Sequence, residues 1–363
     1  MIMKETADAI DAIDRRILYE LDKNCRTSDN QIAKIVGRTR ESVGYRIKRL
    51  RERGILLGFI TSINPSKYGY MFFKLYFQLA NKPKERERFF AYMKKLPGLY
   101  WIGVNDGVWD THATLSARDV KEFYDIKNRI CSEFKELIIK RDTGVLVNVR
   151  QYKKKYLVGG AEGKDRIQIA GGDSERSGAG GAGDIGGVLG TRETLGYESY
   201  VMFSDTPIQN EIDELDKQIL NALLNDARMP LVELTKKCES TIDIVRGRMK
   251  KLAEEGIILQ YRAAIDHTKL GKLYFKAFLY FNNISEMDEK RLFEYAKSQP
   301  SIVYLIRQVS AWDVELEMVC GSYEEFTATM NDLRMRFPDS LRNYESVLMK
   351  EDIWVFGEKD IFG

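Results

Sequence analysis

The chain has 363 residues, of which 44% are hydrophobic and 31% are charged, as is ordinary for a globular protein. This length allows two to four modest domains, and no stretch approaches the ~18 uninterrupted apolar residues of a transmembrane helix. Lys4, Glu5 and Asp8 stand where a secretory signal would be apolar. The four cysteines are scattered singly, without metal-ligand spacing. We therefore expect a cytoplasmic protein with reduced thiols, no membrane partner, no metal and no cofactor.

The chain is a tandem repeat. Ile13-Asp14-Arg15-Arg16-Ile17-Leu18 returns, shifted by 202 positions, as Leu215-Asp216-Lys217-Gln218-Ile219-Leu220. At this shift 20 of the 61 positions between Asp14 and Lys74 are identical. One added residue then brings Trp109-Asp110 onto Trp312-Asp313. Such a long register indicates a duplicated two-part unit, so each function must be considered for both copies.

The net charge of +3 conceals a difference between the copies. Residues 1–158 carry 32 Lys and Arg against 19 Asp and Glu, whereas residues 197–363 carry 21 against 29. A basic half attracts polyanions and an acidic half does not. Between them, residues 159–196 hold 13 glycines and few large apolar side chains. This composition predicts a flexible linker with a root-mean-square span of about 34 Å.

Each copy is predicted to begin with three short helices. In the first copy, apolar residues recur at helical spacing over 10–21. Ser28 can cap a second helix over 29–36, and Gly37 permits a tight turn. Thr39 can cap a third helix that runs to Arg53, after which Gly54 precedes a strand-like wing. A short helix, a glycine turn and a basic third helix form the helix-turn-helix pattern.

The third helix carries the predicted DNA contacts, because it can lie in the major groove of double-stranded DNA. Residues 37–54 contain seven Lys or Arg and two Glu, whereas the equivalent residues 239–256 contain four bases and four acids. We therefore expect the first copy to dominate. The predicted DNA-contacting residues are Arg38, Thr39, Arg40, Glu41, Tyr45, Lys48, Arg49, Lys250 and Lys251.

Downstream of each helical unit the apolar pattern becomes typical of strands. In the first copy strands are predicted over 72–79, 99–104, 110–115 and 138–149, with helices over 83–95 and after Asp119. A turn at Asn105-Asp106-Gly107 would join the two middle strands. The second copy repeats this order, which is that of the ferredoxin-like split unit. Residues 200–203 could form a stray strand or a docking segment.

These features resemble the Lrp/AsnC (feast/famine) family of transcription regulators. The matching motifs are Ile13-Asp14-x-x-Ile17-Leu18, Val43-x-x-Arg46-Ile47-x-x-Leu50, Lys67-x-Gly69 and Gly107-x-Trp109-Asp110, with Phe123 following. The resemblance implies an α+β fold in two copies, of a tandem form similar to archaeal members. Each copy would be a winged helix-turn-helix (1–63 and 208–265) followed by a ferredoxin-like (βαββαβ-type) ligand-sensing and dimerisation domain (64–158 and 266–357). It also implies sequence-specific DNA binding and transcriptional control.

The same resemblance implies a small-molecule effector, such as an amino acid, near the glycine-aromatic-Asp turn. The positions carried over are Asn105, Gly107, Asp110 and Asp119. The alternative is that Gly107 and Asp110 only form a turn and Asp119 only caps a helix. For assembly, the chain would form an intramolecular pseudo-dimer on an asymmetric DNA site, or its sensor domains would pair between chains in a homo-oligomer.

Two other functions remain as alternatives. Sirohaem decarboxylases resemble this architecture and use His and Arg side chains near the strand after the first sensor helix. Neither equivalent stretch here contains a His, and the chain has only two, His112 and His267. The chain is therefore predicted not to be an enzyme. The second alternative is a protein-binding adaptor that uses the acidic surface of the second copy.

Overall fold

The computed structural model describes residues 10–159, 200–203 and 210–354. Apart from Gly159, the predicted glycine-rich linker lies outside the described residues. Within these three ranges no helix is long and apolar enough to cross a membrane. The cysteines all occur as free thiols.

The first copy consists of a three-helix unit followed by an α/β unit. Its elements are α1 (Ala12–Lys23), α2 (Asp29–Val36), α3 (Arg40–Glu52), β1 (Leu56–Ile63), β2 (Met71–Leu79), α4 (Pro83–Met93), β3 (Leu99–Gly107), β4 (Thr111–Ala117), α5 (Val120–Glu133) and β5 (Ile138–Tyr152). A short strand, β6 (Tyr200–Phe203), pairs with β5, so the segment left open by the sequence is a strand.

The second copy repeats the same order. Its elements are α6 (Glu214–Asn225), α7 (Leu231–Lys237), α8 (Ile242–Glu254), β7 (Ile258–Ile265), β8 (Leu273–Phe281), α9 (Glu286–Ser298), β9 (Ile302–Val309), β10 (Val314–Cys320), α10 (Tyr323–Arg336) and β11 (Leu341–Trp354). The predicted fold class, a helix-turn-helix unit followed by a ferredoxin-like unit in two copies, is confirmed.

The sensor sheets have the ferredoxin-like strand order. In the first copy the order is β5-β2-β4-β3, and in the second it is β11-β8-β10-β9. Alternate residues of β2 point to opposite sides, as strand geometry requires. Phe73 and Phe77 pack beneath the helices, where the Phe73 ring stacks on Phe123 at 4.3 Å between centroids. Lys74 and Tyr76 therefore face away from the helices, toward the other copy.

The two sensor sheets close on each other. β3 pairs with β11, and β5 pairs with β9, both antiparallel. The second strand of each ferredoxin-like unit thus pairs with the fourth strand of the other unit. Eight strands form a continuous closed sheet, and β6 extends it beyond β5. Closure removes the exposed edges that each four-stranded sheet would have alone.

The helix-turn-helix units are joined by a separate two-stranded sheet. β1 pairs antiparallel with β7, and equivalent hydrogen bonds run in both directions. Asn64 N–H donates to the Ile257 carbonyl at 2.8 Å, and Asp266 N–H donates to the Ile55 carbonyl at 2.9 Å. Such reciprocal contacts are the mark of a two-fold interface, here formed inside a single chain. The strand predicted as a wing therefore pairs with its counterpart in the other copy.

The predicted turn at Asn105-Asp106-Gly107 is wrong. These residues extend β3, because they pair with Met349, Leu348 and Val347 of β11. The chain turns instead between Gly107 and Thr111. The Asn-Asp-Gly pattern is a good local turn signal, but pairing with a strand some 240 residues away overrides it.

A buried ionic cluster fills part of the interior of the closed sheet. Lys74 Nζ of the first copy lies 2.6 Å from Glu315 Oε2 of the second. Lys276 Nζ lies 3.1 Å from Glu315 and 2.7 Å from Glu317. Tyr76 O–H also donates to Glu315, and Gln308 Nε2 donates to it at 2.7 Å. The two lysines are thus neutralised by two acids that both lie on β10.

The cluster shifts the ionisation of its members. Burial would raise the pKa of Glu315, but Lys276 and Lys74 outweigh burial and hold that pKa well below its ordinary value of 4.5. Burial lowers the pKa of Lys74 to about 8, with Lys276 adding to the effect and Glu315 opposing it. The arrangement depends on the pairing of both copies, because no acid of the first copy approaches Lys74 among the described ion pairs.

We expect Glu315→Gln to lower the free energy of unfolding of the full chain by about 3 kcal/mol at pH 7, because it leaves two buried ammonium groups short of an acid. Urea unfolding followed by circular dichroism would measure the change. Asp125→Asn removes one partner of the exposed Lys121–Asp125 pair and should cost less than about 0.5 kcal/mol. Equal effects of the two substitutions would contradict the role assigned to the cluster.

The pH dependence of the free energy of unfolding gives a second test of the buried ionic cluster. Because the pKa of Glu315 is lowered in the folded state, its contribution is present above pH 4.5 and is lost as the pH falls below that value. The Glu315→Gln variant lacks this contribution. Its stability should therefore fall less steeply than that of the unmodified chain as the pH drops below 4.5.

Candidate nucleic-acid interface

The first helix-turn-helix is formed by local capping interactions. Ser28 caps α2 with a reciprocal capping box that includes Gln31. Gly37 ends the helix in the left-handed conformation, at φ +65°. The Thr39 hydroxyl accepts a hydrogen bond from Ser42 N–H and begins α3. The caps predicted at Ser28 and Thr39 are confirmed.

Burial of one face of α3 determines which side chains reach solvent. Val43, Ile47 and Leu50 are buried against the other helices of the unit. The opposite face presents a continuous polar surface. The exposed residues here are Arg38 and Thr39, which precede the helix, and Arg40, Glu41, Tyr45 (66% exposed) and Lys48 (76% of the side chain exposed) within it. We call these six residues the α3 surface; DNA contact by each of them stays a prediction.

Arg49 differs from the α3 surface. Arg49 Nη2 lies 2.9 Å from Asp14 Oδ2, and Arg46 Nη1 lies 2.8 Å from Asp14 Oδ1. Asp14 is fully buried on α1, so the two arginines fasten α3 to α1 through a shared carboxylate. Sequence reasoning missed this role of Asp14. The available signal was its repetition as Asp216, which in the second copy receives Arg248 Nη1 at 3.2 Å.

The equivalent helix of the second copy is balanced by its own acids. The cations of α8 each lie near a carboxylate: Arg246 with Asp243, Arg248 with Asp213 and Asp216, Lys250 with Glu254, and Lys251 with Glu255. In the first copy, Arg38 and Arg40 form no ion pair with any other residue that the structure describes. The difference in charge read from the sequence thus extends to the contacts of the side chains.

The four effector positions that the family resemblance implies do not lie together in the fold. Asp110 and Asp119 lie beyond opposite ends of β4, whose seven residues span roughly 23 Å at ~3.3 Å each. Asp119 accepts a hydrogen bond from Glu122 N–H at 2.8 Å as the N-cap of α5. Asp110 pairs with Arg86 and accepts a hydrogen bond from Leu79 N–H. Both carboxylates therefore have structural partners.

Of the two other effector positions, Gly107 lies against β11 of the second copy, and Asn105 is buried. A Cβ atom at Gly107, where φ is +133°, would lie 2.8 Å from the Ser346 carbonyl oxygen of β11. The Asn105 side chain is buried, and its Nδ2 lies 2.8 Å from His112 Nδ1. Effector binding at these four positions stays a prediction.

Both histidines are buried, and burial lowers the pKa of each. His112 is completely buried, and burial, with Lys276 and Lys74 nearby, holds its pKa well below the usual value. Burial likewise lowers the pKa of His267 to about 4. Among the described residues, no three His, Cys, Asp or Glu side chains gather in a way that could hold a metal ion.

Comparison with known proteins identifies the helical units. The AsnC-type helix-turn-helix domain matches twice, at residues 10–51 and 212–253. A helix-turn-helix transcriptional regulator of Pyrococcus abyssi is 32% identical over 118 residues, which make up 32% of this chain and 79% of the relative. The regulator Ptr1 of Methanocaldococcus jannaschii is 31% identical over 112 residues, 31% of this chain and 75% of the relative.

A solved structure can be superposed on nearly the whole chain. The siroheme decarboxylase NirDL superposes with a TM-score of 0.57 over 97% of this chain and 95% of that chain, at 13% sequence identity. At this identity the likeness concerns the fold alone. The two regulators named above match over most of one copy of the repeat. The chain therefore belongs to the Lrp/AsnC family of helix-turn-helix transcriptional regulators.

Proposed function

We propose that this chain is a sequence-specific DNA-binding transcriptional regulator in which the two copies act as an intramolecular pseudo-dimer. Its two helix-turn-helix units, which we call the first and the second reader, contribute unequally to DNA binding. The observation that carries the proposal is the contrast between α3 and α8. The α3 surface presents arginines without acidic partners among the described residues, whereas the cations of α8 are paired. Unpaired cations neutralise phosphates without first breaking an ion pair, so they contribute more to DNA affinity.

The two readers are joined by the pairing of β1 with β7, and this arrangement supports binding to an asymmetric DNA site. A two-fold pair of helix-turn-helix units reads half-sites about 34 Å apart, one turn of DNA. Here the pair is formed by unlike units, since Tyr45 is matched by Gly247 and Arg38 by Ser240. The expected operator therefore has one strongly specified half and one weakly specified half.

The test is a selection from genomic DNA fragments with the full-length chain, run beside an Arg40→Ala, Lys48→Ala variant. Both residues are exposed and neither contacts Asp14, so these changes leave the α1–α3 ion pairs intact. A discrete motif that disappears with the variant is the expected result. Absence of enrichment by the unmodified chain would overturn the proposal.

Lys48 and Lys250 allow a matched comparison of the two readers. They are equivalent positions, and each lies near a glutamate four residues later, at 3.8 Å and 3.7 Å. We expect Lys48→Ala to weaken binding to the selected operator roughly tenfold and to reduce the slope of log affinity against log salt by about one. Lys250→Ala should change both quantities less. Equal effects, measured by fluorescence anisotropy, would exclude dominance of the first reader.

Tyr45 is expected to contact bases, because it is an exposed aromatic residue in the middle of the α3 surface. Tyr45→Ala should alter the preferred sequence in a repeat of the selection while leaving the salt slope unchanged. Tyr124, also exposed but on α5 of the sensor domain, provides the control, and Tyr124→Ala should leave the motif as it was. An unaltered motif in the Tyr45 variant would show that Tyr45 does not contribute to sequence recognition.

We also infer that the chain has no enzymatic activity, although its whole fold is shared with NirDL. The strands after the first sensor helices, β3 and β9, contain no His, and the two histidines of the chain are buried with lowered pKa values. An absorption spectrum of the purified chain tests the inference. A Soret band from a bound tetrapyrrole would contradict it.

A further inference from the structure

A cavity lies where the interior of the closed sheet meets the two-stranded sheet under the readers. Its volume is about 80 Å³. Ile60 and Ser62 of β1 lie on one side, and residues of both sensor sheets form the rest of the wall. The cavity is therefore bounded by the domains that would sense a ligand and by the strand that leads to DNA-binding helices. None of the four predicted effector positions lines it.

The wall of the cavity is mostly aromatic and aliphatic. Phe72, Tyr100, Trp101, Tyr274 and Tyr304 contribute rings, and Leu146, Val149 and Ile306 contribute aliphatic groups. Aromatic rings offer a large contact area and edge-to-face packing to another ring. A wall of this composition favours an apolar ligand, and in particular a small aromatic one.

The charged groups of the wall are already neutralised. Lys74 is paired with Glu315 at 2.6 Å, and Glu317 is paired with Lys276 at 2.7 Å. A charged ligand would lose its hydration without gaining a counter-ion, which is costly in an apolar site. The ligand that fits is therefore neutral, which distinguishes it from a zwitterionic amino acid.

One chain of contacts runs from the cavity to the first reader. Arg262 Nη1 of β7 donates to the hydroxyl of Tyr304, which lines the cavity, at 3.0 Å. The same guanidinium contacts the carboxylate of Asp22, on α1, through Nε at 3.2 Å and Nη2 at 2.9 Å. Arg262 and Asp22 are both almost completely buried. A change in the position of Tyr304 would thus act directly on the last turn of α1.

A second chain of contacts reaches the same turn. Gln151 lines the cavity and donates to Gln260 Oε1 at 3.2 Å. Gln260 Nε2 in turn donates to the main-chain carbonyls of Asp22 at 3.1 Å and Lys23 at 3.0 Å. Both connections therefore end at the C-terminus of α1, the helix whose Asp14 holds α3 in place.

The second reader lacks these connections. Leu224 stands at the position equivalent to Asp22, Ile60 at that of Arg262, and Gly58 at that of Gln260. On that side a Thr61 hydroxyl instead donates to the Leu223 carbonyl of α6 at 2.7 Å. Both of these chains of polar contacts thus lead from the cavity to the basic reader.

We propose that this cavity binds a small, neutral aromatic molecule, and that its occupancy changes the position of the first reader through Tyr304, Arg262 and Asp22. The regulatory consequence rests on the proposed DNA-binding function, whereas binding and the effect on α1 do not. Phenol and benzene are suitable probes, because both match the aromatic wall, and phenol adds one hydroxyl to match polar lining residues such as Gln151 and Glu317.

Binding is tested first, without DNA, on the full-length chain by ligand-observed NMR and thermal unfolding. Phenol or benzene should bind and raise the unfolding midpoint. Val149→Phe, which fills the cavity, should abolish binding, whereas Val147→Phe, on the same strand but exposed, should not. No binding by the unmodified chain, or equal binding by both variants, would overturn the site. Leu146→Phe replaces Val149→Phe if that variant does not fold.

Coupling is tested by amide hydrogen exchange at residues 21–24, the end of α1. Saturating phenol should change exchange there by about fivefold or more, and Tyr304→Phe, which retains the ring but loses the hydroxyl, should reduce the change. Thr61→Val, on the side of the second reader, should leave it intact. Binding without any change at residues 21–24 would overturn the coupling.

The effect on function is measured last, as the dissociation constant for the selected operator with and without phenol. A shift of about fivefold or more, reduced in Tyr304→Phe and retained in Thr61→Val, is expected. Failure of the chain to bind any operator would overturn the proposed function. The first two measurements would still show whether the cavity binds the ligand and whether binding affects α1. Operator binding that phenol does not affect, despite altered exchange in α1, would overturn the regulatory role alone.

Discussion

Pairing of each sensor sheet with the other is the constraint on which the rest of the structure depends. A four-stranded ferredoxin-like sheet has two edges, and here both edges of both sheets are used. Neither copy is complete without its counterpart, and the joining of β1 to β7 follows from the same two-fold relation. Fusion into one chain makes this pairing intramolecular, so it does not depend on protein concentration. The two helix-turn-helix units are consequently held together within one chain by the β1–β7 sheet.

The interior charges explain why the pair should consist of unlike copies. Lys74 and Lys276 are equivalent positions, but Glu315 stands where the first copy has His112, and Glu317 where it has Thr114. Two first copies paired together would bury two lysines without these acids, and two second copies would bury four acids with two lysines. Only the mixed pair is neutral, as the observed contacts require. Burial of unpaired charge is costly, so the cluster selects the pairing within the chain over either like pairing.

Local structure followed from the sequence, whereas contacts between the copies did not. The caps at Ser28 and Thr39 and the strands and helices of both units depend on nearby residues and periodicity, and they were predictable within a few positions. The turn predicted at Gly107 failed because β11 holds that segment in β3. The role of Arg49 was incomplete for a similar reason, since its partner Asp14 lies 35 residues away. Exposure of the α3 surface was predictable because the apolar stripe of a single helix determines it.

The asymmetry of the readers and the asymmetry of the connections to the cavity fall on the same side of the molecule. The first reader has arginines without an acidic partner in the described part of the chain, and its α1 receives the buried Arg262 and the Gln260 amide from the second copy. A perturbation of the interior would therefore act on the helix-turn-helix that we propose contributes more to DNA affinity. The second reader, held through Thr61 and with its cations paired, would keep its position. In this proposal, divergence after duplication separates two tasks that identical subunits must share: one copy supplies the dominant reader, and the other supplies the arginine and the glutamine that contact its α1.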